Sequence, residues 1–268
     1  MFKRFFADLK KYKNYVSYAT LSELKSEVAG SFLSWLWWIL DPLLYMLVYS
    51  FVAEIVFGKG TPAFPVFVFI GLNCWHFFSK SVKASVRLIT TKKGIVTKVY
   101  VPKHMFILEK MGVFGFKMCV SFILTIIFMI IYQVPVTWNL LMMIPLFMLL
   151  FIITFAVSIV IMHFGVFIED LTNVVTVVLQ LGFYLSGVFY SIEDRLAKSY
   201  PWISDILLNC NPVALIMSDM RQAMMGSVLG SGGFHFIALG VWAVIGLVVS
   251  IIGIRVIYKF ENSYVKII

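Results

Sequence analysis

Long apolar stretches dominate the pattern of the chain, and charged residues are concentrated in the segments between them. Six stretches are long enough for a helix that crosses a hydrocarbon core of about 30 Å, which needs about 20 apolar residues. We therefore predict an all-α polytopic membrane protein with six transmembrane helices. The predicted spans are Phe32–Phe57, Pro65–Leu88, Phe106–Tyr132, Asn139–Phe164, Leu171–Tyr190 and Phe234–Tyr258.

The segments outside the spans predict amphipathic elements within a single transmembrane domain covering residues 1–268. Phenylalanines at helical spacing alternate with Lys and Arg in residues 1–30, which is typical of a helix lying at the membrane interface. The region 191–233 contains two amphipathic pieces, Trp202–Leu208 and Pro212–Met225, each too short to cross a bilayer. We expect these pieces to be re-entrant or gate helices.

One of these helices has a typical start. Asn211 can cap the first backbone N–H groups, and Pro212 suits the first helical position, where no amide hydrogen is needed. The sequence therefore predicts a helix that begins at Pro212.

The distribution of lysine and arginine predicts the orientation. Most of the 22 basic residues lie before the first span, around the loop 90–105 or in the tail 259–268. Basic short loops stay in the cytoplasm. Both termini are therefore predicted to be cytoplasmic, and residues 191–233 external.

Composition supports a membrane location and excludes several other classes. Hydrophobic residues make 61% and charged residues 13% of the chain, whereas soluble domains have roughly 45–50% and about 25%. Soluble, disordered and disulfide-scaffold proteins are excluded on this ground. The net charge of +9 fits basic cytoplasmic loops, and we predict no nucleic-acid partner.

Motifs for catalysis or nucleotide binding are missing from the sequence. It contains neither HExxH nor GxSxG, and its glycine-rich pieces do not form GxxxxGK[ST]. We predict no catalytic site, no metal site and no cofactor in this chain. If ATP drives its activity, ATP and Mg²⁺ bind to another chain.

Four charged residues lie within or at the ends of the apolar stretches: Asp41, Glu54, Lys80 and Lys117. A charge at the bilayer centre costs roughly 2.5–3.5 kcal/mol, so each is a candidate functional residue. Glu54 and Lys80 can instead extend their head groups to the interface. Asp41 precedes Pro42, which favours either a helix kink with an interhelical hydrogen bond or the lining of a pathway.

Aromatic residues make 17% of the chain, and some share a helix face. Trp38, Tyr45 and Tyr49 recur at spacings of seven and four, and Phe183 and Tyr184 form a second cluster. Such a face can stack against sugar rings or pack against another helix. We take these five residues as the candidate substrate pathway.

Motifs spread over nearly the whole chain resemble one family. They are Leu33-Ser34-Trp35-Leu36-Trp37 with Asp41-Pro42, Gly71-Leu72 with Trp75, Lys98 to Pro102, Phe167 to Leu171, Leu179-Gln180 through Tyr190, and Asn211-Pro212 with Arg221. In order and spacing they are similar to permease subunits of ABC transporters that export lipid-linked polysaccharides, namely O-antigens, capsules and teichoic acids. Ser34, Glu169 and Gly187 depart from the usual Gly, Arg and Pro of this family.

The resemblance implies a bacterial plasma-membrane permease that works as a homodimer with two copies of a separate ATP-binding subunit. It implies a lipid-linked glycan or polyol phosphate as substrate and membrane lipid as surroundings. Coupling to the ATPase is expected at Lys92, Lys93, Lys98, Val99 and Pro102. An external gate is expected at Asn211, Pro212 and Arg221.

An ion-coupled secondary carrier or channel is the alternative function. It would depend on the intramembrane charges Asp41 and Lys117.

Overall fold

A computed structural model describes residues 2–30, 33–52, 63–193, 201–229 and 233–267, and this part of the chain is helical without β-strands. The helices are α1 (Phe2–Ala29), α2 (Trp37–Phe51), α3 (Phe64–Val86), α4 (Leu88–Thr91), α5 (Lys93–Val96), α6 (His104–Ile131), α7 (Met143–Phe167), α8 (Leu171–Leu185), α9 (Pro201–Cys210), α10 (Pro212–Leu229) and α11 (Phe236–Ile267). Short 3₁₀ turns, Ser34–Leu36 and Trp138–Met142, precede α2 and α7. The all-α class is confirmed.

Three helical stretches of the described chain are long and apolar enough to cross a membrane: His104–Ile131, Trp138–Phe167 and Phe236–Tyr264. They correspond to the predicted third, fourth and sixth spans. The pair of α1 and Ser34–Phe51, bent by 114°, would be a fourth if counted as one span. The total of six spans stays a prediction, and Glu54, with the rest of residues 53–57, lies outside the described residues.

Two of the predicted spans differ from the helices in the structure. The fifth was expected to reach Tyr190, but α8 ends at Leu185 because the chain turns at Gly187, whose φ is +69°. At about 1.5 Å per residue, these 15 residues are shorter than the hydrocarbon core. The second predicted span corresponds to α3. This helix is long enough to cross a membrane, but it is less apolar than the three stretches above because it carries Asn73, His76 and Lys80.

Helix α3 forms the centre of the bundle. Its first half, Phe64 to Trp75, is buried throughout, and α3 packs against α2, α6, α7, α8 and α10. Near its end the backbone of α7 approaches closely at Gly165, where an added Cβ would lie 1.9 Å from the carbonyl oxygen of Val86. Only glycine fits this helix crossing without movement.

The start of α1, the loop before α6 and the end of α11 meet at one end of the bundle. The Arg4 guanidinium donates hydrogen bonds to the Tyr100 hydroxyl at 2.6 Å and to Glu261 at 3.1 Å. The Tyr258 hydroxyl donates to Asp8 at 2.5 Å. Both chain ends therefore lie beside the basic loop, and the membrane side they face stays a prediction.

The contact at Gly165 gives a stability prediction. Gly165→Ala forces α3 and α7 apart, and overpacking of this kind costs roughly 1–3 kcal/mol. We expect the melting temperature of the detergent-solubilised chain to fall by several degrees. Gly240→Ala is the matched control, because Gly240 is also helical and nothing lies within 4 Å of an added Cβ. Equal melting temperatures for the two variants would contradict the close crossing.

Candidate functional site

An aromatic groove runs along one side of the bundle between α2, α3 and α8. Tyr45 and Tyr49 are one helical turn apart, and their rings stack with centroids 6.2 Å apart and planes inclined by 15°. Tyr49 lies 6.3 Å from the ring of Phe183, which is 5.5 Å from Tyr184. The structure therefore brings together four of the five candidate pathway residues.

The aromatic groove encloses about 400 Å³ and is open on its outer side. Besides the aromatic rings, its wall includes polar groups of Lys80, Lys83 and Gln180. Tyr45 and Tyr184 are exposed in the single chain. This combination of flat rings and hydrogen-bonding groups suits a ligand with apolar faces and hydroxyl edges.

Trp38, the fifth candidate, lies in a neighbouring polar cavity of about 450 Å³ between α1, α2, α3 and α6. Its ring packs edge-on against Phe116, and its indole N–H donates to the Glu27 carboxylate at 3.2 Å. His76 and Lys80 line both this polar cavity and the aromatic groove. The two spaces are therefore adjacent along α3.

Three of the four charged residues predicted within or at the ends of the spans, Asp41, Lys80 and Lys117, are paired in the polar cavity. Lys80 donates to Asp41 at 3.1 Å, and Lys117 lies 2.6 Å from a carboxylate oxygen of Glu27. Pairing lowers the cost of placing each charge at membrane depth. Glu27 was not predicted as a functional residue because its partner Lys117 lies 90 residues away in the sequence, and no local pattern signals such a contact.

The basic loop before α6 divides the expected coupling residues into two groups. Lys92 makes an ion pair with the buried Glu109, and Pro102 is buried. Lys93, Lys98 and Val99 are exposed at the tip of the loop. Only the second group presents its side chains to a partner, and its coupling role stays a prediction.

The opposite end of the bundle contains the expected gate residues. The side-chain oxygen of Asn211 accepts hydrogen bonds from the N–H groups of Val213 and Ala214 at 3.1 and 3.2 Å, as predicted for a cap. Its amide nitrogen donates to the hydroxyl of Ser186 at 2.7 Å. The cap thereby joins the start of α10 to the end of α8.

Arg221 on α10 is buried, with 5% of its surface exposed. Its guanidinium donates to the carbonyl oxygens of Phe67 (3.2 Å), Gly187 (2.9 Å) and Val188 (2.8 Å), and it lies 3.6 Å above the Phe67 ring. Arg221 therefore joins α10, α3 and the turn after α8, and a gating role for it stays a prediction.

An acid–histidine cluster joins α10 to the start of α11. The Asp219 carboxylate is buried and contacts His235 twice, at the ring Nδ1 (2.8 Å) and at the backbone N–H (3.2 Å). Glu193 lies 4.0 Å from the other ring nitrogen and accepts a hydrogen bond from Ser218. The hydrogen bond to Asp219 raises the pKa of His235 above its ordinary value.

Arg87 braces the turn between α7 and α8, where Glu169 replaces the expected arginine. The Arg87 guanidinium donates hydrogen bonds to the Glu169 carbonyl oxygen at 2.7 Å and to the Thr172 hydroxyl at 3.4 Å. A cation is therefore present at this turn, supplied from the end of α3.

Comparison with known proteins finds relatives along most of the chain, although no protein-family profile matches it. It is 24% identical over 250 residues to the O-antigen export system permease protein RfbA of Klebsiella pneumoniae, covering 93% of both chains. It is 29% identical over 225 residues to RfbA of Myxococcus xanthus, covering 81% of this chain and 83% of that one. The chain is thus similar to O-antigen export permeases along most of its length.

A third relative broadens this relationship. The polysialic acid transport protein KpsM of Escherichia coli is 23% identical over 246 residues, covering 91% of this chain and 92% of that protein. These matches confirm the resemblance inferred from the motifs. Together with the apolar helices, they indicate a protein of the bacterial inner membrane.

The acid–histidine cluster predicts a pH-dependent stability. The pKa of His235 is raised from 6.5 in the folded protein, so its protonation favours folding. This contribution is complete below pH 6.5 and is lost as the pH rises through the raised pKa. We expect His235→Gln to lower the melting temperature more at pH 5.5 than at pH 8.5. An equal loss at both pH values would contradict a stabilising charged histidine.

Proposed function

We propose that this chain is the membrane permease subunit of an ATP-driven exporter. It translocates a lipid-linked polysaccharide or polyol phosphate from the cytoplasmic to the outer side of the plasma membrane. The observation that carries this proposal is the similarity to an O-antigen export permease along 93% of both chains. The aromatic groove supports it, because stacked tyrosines suit a passing sugar chain.

The pathway we propose follows the aromatic groove. The rings of Tyr45, Tyr49 and Phe183 follow one another at centroid distances of 6.2 and 6.3 Å, so successive sugar rings can exchange one stacking partner for the next. Stacking of this kind depends little on the identity of the sugar. Weak, repeated contacts therefore favour movement along the groove over tight binding at one point.

A homodimer would close this groove. In the single chain the groove is open, and the helices beside it expose apolar side chains, Leu44 and Val48 on α2 and Val177 and Leu181 on α8. A second copy that covers α2 and α8 would bury these side chains and join two grooves into one enclosed path. The path would then be shielded from lipid on both sides.

The energy source is a separate ATP-binding subunit, in two copies, which holds ATP and Mg²⁺. The missing phosphate-binding motif and the exposed loop tip at Lys93, Lys98 and Val99 support this part of the proposal. The tip lies beside both chain ends, and the basic residues there favour the cytoplasmic side. The partner would therefore dock where ATP is available.

The ion pairs argue against the alternative of an ion-coupled carrier. Asp41 and Lys117 each have an opposite charge at hydrogen-bonding distance, so the charge of each is already balanced within the protein. A carrier that binds and releases a coupling ion would need a carboxylate free to exchange partners.

The source of energy can be tested by reconstitution. We expect the purified chain in liposomes to hydrolyse no ATP, and ATP-dependent glycan export to appear when its ATP-binding partner is added. A protonophore should leave export unchanged at constant ATP. ATP hydrolysis by the isolated chain, or export that follows the ion gradient without ATP, would contradict the proposed function.

The pathway can be tested at the two stacked tyrosines. Each aromatic contact contributes about 0.5–1.5 kcal/mol, so the double variant Tyr45→Ala, Tyr49→Ala should slow export about tenfold. Assembly with the ATPase and its basal hydrolysis should be retained, because both residues belong to α2 and not to the loop before α6. Tyr18→Ala is the control, since Tyr18 is an exposed tyrosine on α1, outside the groove. Normal export by the double variant would contradict the proposed pathway and indicate that these tyrosines only pack against neighbouring helices.

A further inference from the structure

The polar cavity between α1, α2, α3 and α6 has a composition unlike the apolar bundle around it. Its wall carries four charged side chains, Glu27, Asp41, Lys80 and Lys117, together with the amide of Asn73. A space of about 450 Å³ with so many hydrogen-bonding groups favours water or a polar ligand over an apolar one.

The charges of the polar cavity cancel. Each lysine lies against a carboxylate, at 3.1 Å for Lys80 with Asp41 and at 2.6 Å for Lys117 with Glu27. An anion such as a phosphate would meet two carboxylates beside the two ammonium groups and gain no net attraction. A neutral ligand with many hydroxyl groups can instead donate to the carboxylates and accept from the lysines.

Two further side chains point to a ligand with both polar edges and apolar faces. The hydroxyl of Ser121, on the cavity wall, is 4% exposed and has no hydrogen-bond partner among the described residues. A buried hydroxyl without a partner is unfavourable, and a ligand hydroxyl would satisfy it. Trp37, also on the wall, is 57% exposed and offers an indole ring.

We propose that the polar cavity binds a neutral sugar unit of the transported glycan. This inference rests on the proposed function and adds a binding site for its substrate. Hydroxyls of the sugar bond to Glu27, Asp41 and Ser121, and its apolar face lies against Trp37. Because His76 and Lys80 also line the aromatic groove, a sugar in the cavity is positioned beside the start of the pathway.

Saturation-transfer NMR on the full chain in lipid nanodiscs tests this site directly. The probes are glucose, galactose, mannose, N-acetylglucosamine and rhamnose, each at millimolar concentration. We expect saturation transfer to at least one of them, and at least a fivefold weaker affinity in Trp37→Ala. Trp35→Ala is the matched control, because Trp35 is 48% exposed two residues away and does not line the cavity.

Ser121→Ala gives a second variant that removes only one oxygen and keeps both ion pairs, and it should also weaken the binding. Absence of transfer to every sugar, or equal losses in Trp35→Ala and Trp37→Ala, would overturn the proposal. Displacement of the sugar by inorganic pyrophosphate, with the same dependence on Trp37, would assign the cavity to an anion and also overturn it.

The result is independent of the test of the proposed function. Sugar binding is measured on the chain alone without ATP, whereas the reconstitution measures transport with the partner. ATP-driven export without sugar binding would leave the function intact and remove this site. Sugar binding without ATP-driven export would leave this binding site intact and contradict the proposed function.

Discussion

The buried guanidinium of Arg221 is the contact on which one whole end of the bundle depends. A buried cation is costly unless its donors are satisfied, and here three backbone carbonyls and the Phe67 ring supply that compensation. Two glycines are required by the same contact. A Cβ at Gly71 would lie 2.3 Å from the guanidinium, and Gly187 has a φ of +69° that other residues rarely adopt. Changing either glycine would therefore disturb the arginine.

Contacts at this end of the bundle also determine the shape of the aromatic groove. Arg221 and Asn211 both bond to the turn after α8, at Gly187 and Ser186 respectively. That turn directs Phe189 back onto Tyr49, with ring centroids 3.8 Å apart. The rings of α2 and α8 are thus held at a set distance by contacts outside the groove. A substitution in α10 can therefore alter the shape of the aromatic groove without contacting it.

Sequence patterns predicted the features that depend on neighbours along one helix. The spacing of Tyr45 and Tyr49 determines their common face, and the Asn211 cap is a local contact. The pairing of Glu27 with Lys117 was not predictable, because it depends on how α1 docks against α6. Lys92 was expected to couple to the ATPase, but its ion pair with the buried Glu109 on α6 depends likewise on a contact between distant parts of the chain. Charge alone does not tell which side of a loop a lysine faces.

In the proposed pathway, the paired charges would give an apolar bundle a means of binding a hydrated substrate. A single charge at membrane depth would attract ions and water, whereas an ion pair offers donors and acceptors with little net field. The pair Asp41 and Lys80 lies where the polar cavity meets the aromatic groove, so a polar ligand leaving the cavity meets hydrogen-bonding groups up to the first ring. From there, stacking replaces hydrogen bonding as the main attraction. Lys80 lies at this boundary because its side chain lines both the polar cavity and the aromatic groove.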